Sequence, residues 1–473
     1  MKHTYRLAAL ALTTALAACT VGPQYQRPQV SLTEQYTAAA TITAPDGQWW
    51  QAFGDPVLNR VIDKVLAQNL ELAAAAARID QARAAAGYAS AALLPSLSTG
   101  ADAEADKTSL NTPFGAAAHE LGFPRDYEQY DVGSRASWEI DLFGGLRRGR
   151  EAARADLTAT QADGAAVRLS ITAEAVDTYL HLRGDQARLA VAEQQREVRA
   201  HLVNLIADKA RQGVAADRDL HRARGDEETV EAAIPPLRAA IAGEIARLDV
   251  LMGEQASVSA DDLARMAAIP AAPEPSGSAE PAELMRRRPD IIAAERRLAA
   301  ANARIGVAVA EYYPHVTLTG LLGFASVGGS ALLSGNSEQA GGGAALRWRL
   351  FDFGRVDAEV AQARGRDAEA LAQYRASVLR ATSDVETALV ALSEGRRQVA
   401  ANAREVAELT QARDQAQAAY DQGAVALLDV LDADRALLEA SDRLASARAE
   451  VARASVAATR ALGGGYGEEV HHG

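Results

Sequence analysis

The sequence predicts a mainly α-helical, internally duplicated chain that also contributes a membrane β part. Three observations carry this: a gap-free repeat at an offset of 210 residues, a seven-residue apolar stripe along one very long segment, and stretches of strict alternation between the helical runs. Trp138, Phe143 and Gly144 recur as Trp348, Phe353 and Gly354, and Ala153-Arg154 recurs as Ala363-Arg364. Leu169 returns as Leu379, Leu182 as Leu392, Gln212-Gly213 as Gln422-Gly423, and Asp219 as Asp429. Repeats of about 20–50 residues build solenoids; one this long is a duplicated domain, and a constant offset implies an intervening element of fixed length, as a rod has.

The elements follow in chain order. Lys2, His3 and Arg6 precede an apolar run, Leu7 to Leu16, and then Leu16-Ala17-Ala18-Cys19, which reads as a signal peptide over 1–18. Cys19 is the only cysteine. Its place directly after the cut resembles a lipobox, with cleavage before Cys19 and lipidation there; the plainer reading is an ordinary signal with a chance cysteine. After a lipidated segment 19–55, the first repeat spans 56–260. It opens with a helix over about 56–93. Strands follow at about 96–108 and 128–143, where Val132, Ala136, Trp138, Ile140 and Leu142 alternate with Asp131, Arg135, Glu139 and Asp141. A long helix over 147–212 carries Leu182, Leu189 and Val203, and a helix over 216–250 should kink or break at Pro235-Pro236.

An irregular segment, 261–280, holds Pro270, Pro273 and Pro275. The second repeat, 281–462, again reads helix (to about 311), two strands (about 314–325 and 341–352), a long helix (357–421) and a helix (425–460), before a tail at 463–473. In the long helix Leu371, Val378, Val385, Leu392, Val399 and Val406 recur at every seventh position, which imposes left-handed coiling. Gly328-Gly329 and Gly341-Gly342-Gly343 are expected to flank a surface loop. Strands with one apolar and one charged face fit a barrel with lipid outside and water inside, or else a soluble sandwich. In lipid, four strands alone leave unpaired edges, and closed barrels start at about eight strands. A membrane sheet of this size must therefore assemble with copies of itself.

Composition narrows the function. A formal charge of −13 argues against nucleic acid as a partner. No HExxH, GxSxG or GxxxxGK[ST] pattern occurs, so no enzyme class is indicated. His181, His201 and His221 read as solvated helix residues, and three methionines beyond Met1 disfavour a methionine-lined metal route.

The chain resembles an outer membrane factor of the TolC superfamily, of the NodT-type lipoproteins that serve RND efflux systems. The resemblance rests on Cys19-Thr20-Val21-Gly22-Pro23 with Tyr25 and Pro28, and on Trp49-Trp50, Phe53 and Asp55-Pro56. It continues through Arg288-Pro289-Asp290-Ile291, Ala294-Glu295, Tyr313-Pro314, Gln422-Gly423 and Asp429-Val430-Leu431-Asp432-Ala433. It implies a homotrimer whose four strands per chain close one twelve-stranded barrel, above a periplasmic α-barrel of long coiled helices. It also implies an exit channel in the outer membrane that passively conducts small molecules delivered by an RND pump and a periplasmic adaptor. Thr20 after the cysteine points to outer-membrane sorting, and no cofactor beyond the lipid on Cys19 is implied. The same fold serving type I protein secretion, or a structural envelope lipoprotein, are the alternatives.

The resemblance also places a gate. Leu428 matches an apolar ring, Asp429 and Asp432 an acidic constriction, and Tyr420 with Asp219 a hydroxyl–carboxylate latch, while Val425 stands where TolC has an arginine. On residue chemistry alone, Asp429 and Asp432 share one helix face. They either favour the helix dipole or, crowded by threefold symmetry, raise each other's pKa and attract cations. The turns Gly213-Val214-Ala215 and Gly423-Ala424-Val425 are the expected adaptor contacts, because glycine there permits left-handed backbone and close approach.

Overall fold

The computed structural model describes residues 20–29, 47–256, 258–273 and 287–464. Cys19 and the expected signal peptide lie outside the described residues. The described helices, in chain order, are α1 (Pro56–Gln68), α2 (Leu70–Ala91), α3 (Pro113–Glu120), α4 (Gly145–Arg211), α5 (Asp217–Leu251), α6 (Ala260–Leu263), α7 (Pro289–Ala310), α8 (Arg355–Asp421) and α9 (Leu427–Ala461). The strands are β1 (Ser96–Lys107), β2 (Asp126–Ile140), β3 (His315–Ser326) and β4 (Glu338–Arg347). The repeat reaches element boundaries: α4 and α8 are each 67 residues long, and α5 and α9 each 35. The chain divides into two compact units, one of 1–28, 80–159 and 295–373, the other of 29–79, 160–294 and 374–473.

The first unit holds an antiparallel sheet in the order β1-β2-β3-β4. Its register aligns Ile140, Val316 and Leu346, then Trp138, Leu318 and Ala344, then Val132 and Phe324, on one face. Glu139 with Thr317, and Asp102 with Asp131, fall on the other. Leu97, Trp138, Leu318, Leu322 and Leu346 are all exposed, so each of the four strands shows apolar surface on that face. Gly100, Gly133 and Gly323 stand in one row, where a Cβ at 323 would come within 2.4 Å of the Val132 carbonyl. Trp138 and Trp348 donate their indole N–H to the carbonyls of Leu93 and Tyr312, each at 3.0 Å. Each carbonyl lies two residues before the proline that precedes a strand, Pro95 or Pro314, so the duplicated tryptophans pin both hairpin bases.

The second unit is helical. Asp55 accepts hydrogen bonds from the amides of Val57 and Leu58 at 2.8 and 3.3 Å, and Pro56 takes the first helical position, which together start α1. Trp49, Trp50 and Phe53 pack with Leu58, Ile62, Leu180, Leu182 and Leu248 in the larger core. Each such aliphatic side chain, once buried, contributes about 1.5–3 kcal/mol. Val385, Leu392 and Val451 form a second cluster with Val399 against it. The heptad stripe of α8 is thus buried at Val378, Val385 and Leu392 and only half-buried towards its ends.

Several expectations are corrected. The helix expected over 56–93 is two helices, because Asn69 breaks it: its Oδ1 caps Glu71 and Leu72 at 2.9 and 3.1 Å, and its Nδ2 donates to the Leu251 carbonyl at 2.8 Å. Pro235-Pro236 do not break α5. Both are exposed, so the carbonyls they leave unpaired meet solvent, while Ile234, Ile241, Ile245 and Leu248 keep the buried stripe in helical step. The fourth strand starts earlier than expected and stops at Arg347, where Trp348 turns to the Tyr312 carbonyl instead of the ladder. Gly341-Gly342-Gly343 lie inside β4 rather than beside a loop, paired with Leu321, Gly320 and Thr319. The β1–β2 connection contains α3, started by Thr112, whose hydroxyl accepts from the Gly115 amide at 3.2 Å. No helix among the described residues is long and apolar enough to cross a membrane.

Candidate functional site at the helix tips

The second unit carries the two turns that join α4 to α5 and α8 to α9. In each, a glycine in the left-handed region ends the long helix: Gly213 at φ 72° and Gly423 at φ 74°. The Gly213 amide donates to Ala210 and that of Val214 to Lys209, both at 2.9 Å; Gly423 donates to Tyr420 and Ala424 to Ala419, also at 2.9 Å. These are paired Schellman ends, which satisfy the last helical carbonyls. A Cβ built on either glycine meets no atom within 4 Å. Val214 is well exposed and Ala424 is exposed, while Ala215 and Val425 are half-buried.

Alanine precedes both returning helices, and an alanine side chain accepts nothing. At α9 the Asp429 carboxylate therefore reaches back to the Ala426 amide at 3.0 Å, half of a capping box. Within one chain Asp429 is thus a helix-start residue, the plainer of its two readings. Asp432 lies 3.8 Å from Arg222 of α5, both more than half exposed. Leu428 is 40% exposed beside them.

The structure does not bring Tyr420 and Asp219 together. Lys209, in the last turn of α4, donates to the Tyr420 hydroxyl, and its ammonium stands 4.6 Å from the centre of the same ring. Asp219 instead sits 3.4 Å from its neighbour Arg218. Residue 420 is the repeat counterpart of 210, one position from Lys209, which reaches the hydroxyl. Lys209 and Arg222 were not singled out in the sequence. The signal that could have found Lys209 was the repeat itself, which sets it one position from the counterpart of the tyrosine. Two links, α4 to α8 and α5 to α9, thus tie one tip hairpin to the other. Among the described residues no group of three His, Cys, Asp or Glu could hold a metal ion.

The profile of the outer membrane efflux protein family matches residues 61–254 and 281–464. Nodulation protein T of Rhizobium leguminosarum bv. trifolii is 30% identical over 461 residues, covering 95% of each chain. The pyoverdine export outer membrane protein OpmQ of Pseudomonas putida is 33% identical over 438 residues, covering 91% of this chain and 90% of its own. The solved outer-membrane channel OprN superposes with a TM-score of 0.85 at 34% identity, over 95% of this chain and 100% of its own.

Proposed function

The chain belongs to the outer membrane efflux protein family, and on that premise we propose that it is the outer-membrane exit duct of a tripartite efflux system. Three copies form the duct, and it passively conducts small molecules handed over by an RND pump and a periplasmic adaptor. One observation carries the reading: the four-stranded sheet exposes apolar residues on every strand and has no partner for its β1 and β4 edges among the described residues. Bare apolar area of that kind marks a lipid or partner surface, and unpaired edges are excluded from lipid. Closure by further copies satisfies both. Export of small molecules fits the family and the relative named for pyoverdine export. Mass photometry of detergent-solubilised protein is expected to give three chains per particle, with ion conductance in planar bilayers. A monomer with intact sheet content overturns the reading.

Cys19 carries the lipid in this proposal. Cys19→Ala should abolish palmitate incorporation, and labelling that survives the change refutes lipidation there. The adaptor meets Gly213-Val214-Ala215 and Gly423-Ala424-Val425. The open space around both glycines leaves room for another helical hairpin, and three chains present six such turns. Gly213→Val with Gly423→Val forces β-branched residues into left-handed backbone, at about 1–2 kcal/mol each, where a Cβ meets no atom within 4 Å. Drug resistance is expected to fall to the level of a deletion strain at unchanged trimer abundance; unaltered resistance removes the turns from the docking surface.

A further inference from the structure

We propose that the cleft between the chain just after residue 19 and the first turns of α4 binds the phosphate of an anionic phospholipid headgroup. This rests on the outer-membrane reading above. The cleft, of about 640 Å³, is lined on α4 by Arg147, Arg148, Arg150 and Arg154 with one carboxylate, Glu151, and on the facing segment by Thr20, Gln24 and Tyr25.

Two of the arginines build the wall. Arg148, 5% exposed, donates to the Val21 and Gly22 carbonyls at 3.2 and 3.4 Å and pairs with Glu151 at 2.8 Å. Arg147 pairs with Asp141 at 3.0 Å. The facing segment is held close. Gly22, at φ 90°, lies so near Gly306 that a Cβ would come within 2.4 Å of its Cα, and the Val21 amide donates to Phe143 at 3.0 Å. Tyr25 donates to Glu295 at 3.3 Å. The strap is therefore fixed, and the cleft is part of the fold.

The other two arginines have charge to spare. Arg150 and Arg154 stand one helical turn apart on the same face of α4, and neither guanidinium has a carboxylate partner among the described residues. Two adjacent guanidinium forks suit the oxygens of a phosphate, which each can hold through two hydrogen bonds.

Three features select a membrane phosphate over a soluble one. Thr20, which lines the cleft, directly follows residue 19 in sequence, the proposed lipid attachment. The cleft also follows the bare apolar face: β2 ends at Ile140 and α4 begins at Gly145. Arg150 then lies about 8 Å along the helix, comparable with a headgroup layer of roughly 5–8 Å. Finally, the basic cluster is confined to the strapped half. The repeat-equivalent positions 357–364 hold Asp357, Glu359 and a single arginine, Arg364. Duplication kept the helix, and the arginine cluster stands only in the copy that the strap passes.

The test titrates phosphatidylglycerol and phosphatidylethanolamine against the purified full-length protein and counts bound lipids by native mass spectrometry. Wild type is expected to retain phosphatidylglycerol preferentially. Arg150→Gln with Arg154→Gln should weaken that retention about fivefold, and Arg364→Gln should leave it unchanged. Should the double variant fail to assemble, Arg154→Gln alone, at an exposed position, is read in the same way with a smaller loss. Equal retention by wild type and the glutamine variants overturns the site, as it would if a neighbouring protomer filled the cleft. Displacement of the lipid by millimolar inorganic phosphate also overturns it, because the site would then read free phosphate. Conductance of the same wild-type sample is scored separately: a silent bilayer refutes the duct and leaves the lipid count to decide the site.

Discussion

In planar bilayers the Lys209→Met, Tyr420→Phe double variant is expected to conduct several-fold more than wild type at the single-channel level. The hydroxyl of Tyr420 accepts from Lys209, and the ammonium also faces the ring. Both side chains are half-buried, so the charge-assisted bond is discounted for solvent and contributes about 1 kcal/mol. Three copies give about 3 kcal/mol, roughly a hundredfold in the closed-to-open ratio. The Arg222–Asp432 pair, longer and more exposed, adds little. This differs from the latch implied by the resemblance in one measurable way. Asp219→Ala is expected to leave conductance unchanged, because Asp219 faces Arg218. Opening by Asp219→Ala, with no effect of the Lys209 and Tyr420 changes, would restore the hydroxyl–carboxylate latch. Weakened multivalent-cation block in Asp429→Ala with Asp432→Ala would show that the carboxylates face the duct once three chains assemble.

Arg183→Ala is expected to destabilise the second unit by about 3–5 kcal/mol, because it removes one member of a buried charged network. Arg183 is 2% exposed and donates to Gln186 at 2.6 Å, to the Arg265 carbonyl at 2.8 Å and to the Tyr179 hydroxyl at 2.9 Å. Tyr179 in turn donates to Asp55 at 2.6 Å, and Gln186 to the Leu263 carbonyl at 2.8 Å. Burial, first, and the bond to Asp55 push the Tyr179 phenol up, so it stays a donor at physiological pH. The network thus fastens the start of α1 and the segment around α6 to α4. Tyr179→Phe removes the link to Asp55 and one of the three acceptors of Arg183, and should cost about 1–3 kcal/mol. Urea unfolding of the helical signal in detergent separates the two. An unfolding free energy for Arg183→Ala within about 1 kcal/mol of wild type would mean that water replaces the guanidinium, and the network would then be slack.

What the sequence determined by itself is whatever neighbouring residues encode along the chain. The 210-residue offset returned as equal lengths of α4 and α8 and of α5 and α9. Period-two alternation predicted a sheet with one apolar face, because side-chain direction in a strand is set by residue parity. Gly213 and Gly423 marked the helix ends, because only glycine enters left-handed backbone at no cost.

The tertiary structure alone decided what depends on residues far apart in sequence. Asn69 could break a helical run because its side chain also reached the Leu251 carbonyl, 182 positions away. Pro235-Pro236 could remain inside α5 because that turn faces solvent, a fact of packing that no local pattern carries. Tyr420 takes Lys209 rather than Asp219 because the fold brings the last turn of α4 within reach of the last turn of α8. A long, flexible cation within reach takes the hydroxyl, and periodicity is blind to which side chain that is. The arginine cleft likewise exists only because Gly22 and Gly306 let the strap lie against α7 and bring Thr20 to Tyr25 opposite the first turns of α4. Backbone geometry is written locally, whereas the pairing of charges is settled only when the elements meet.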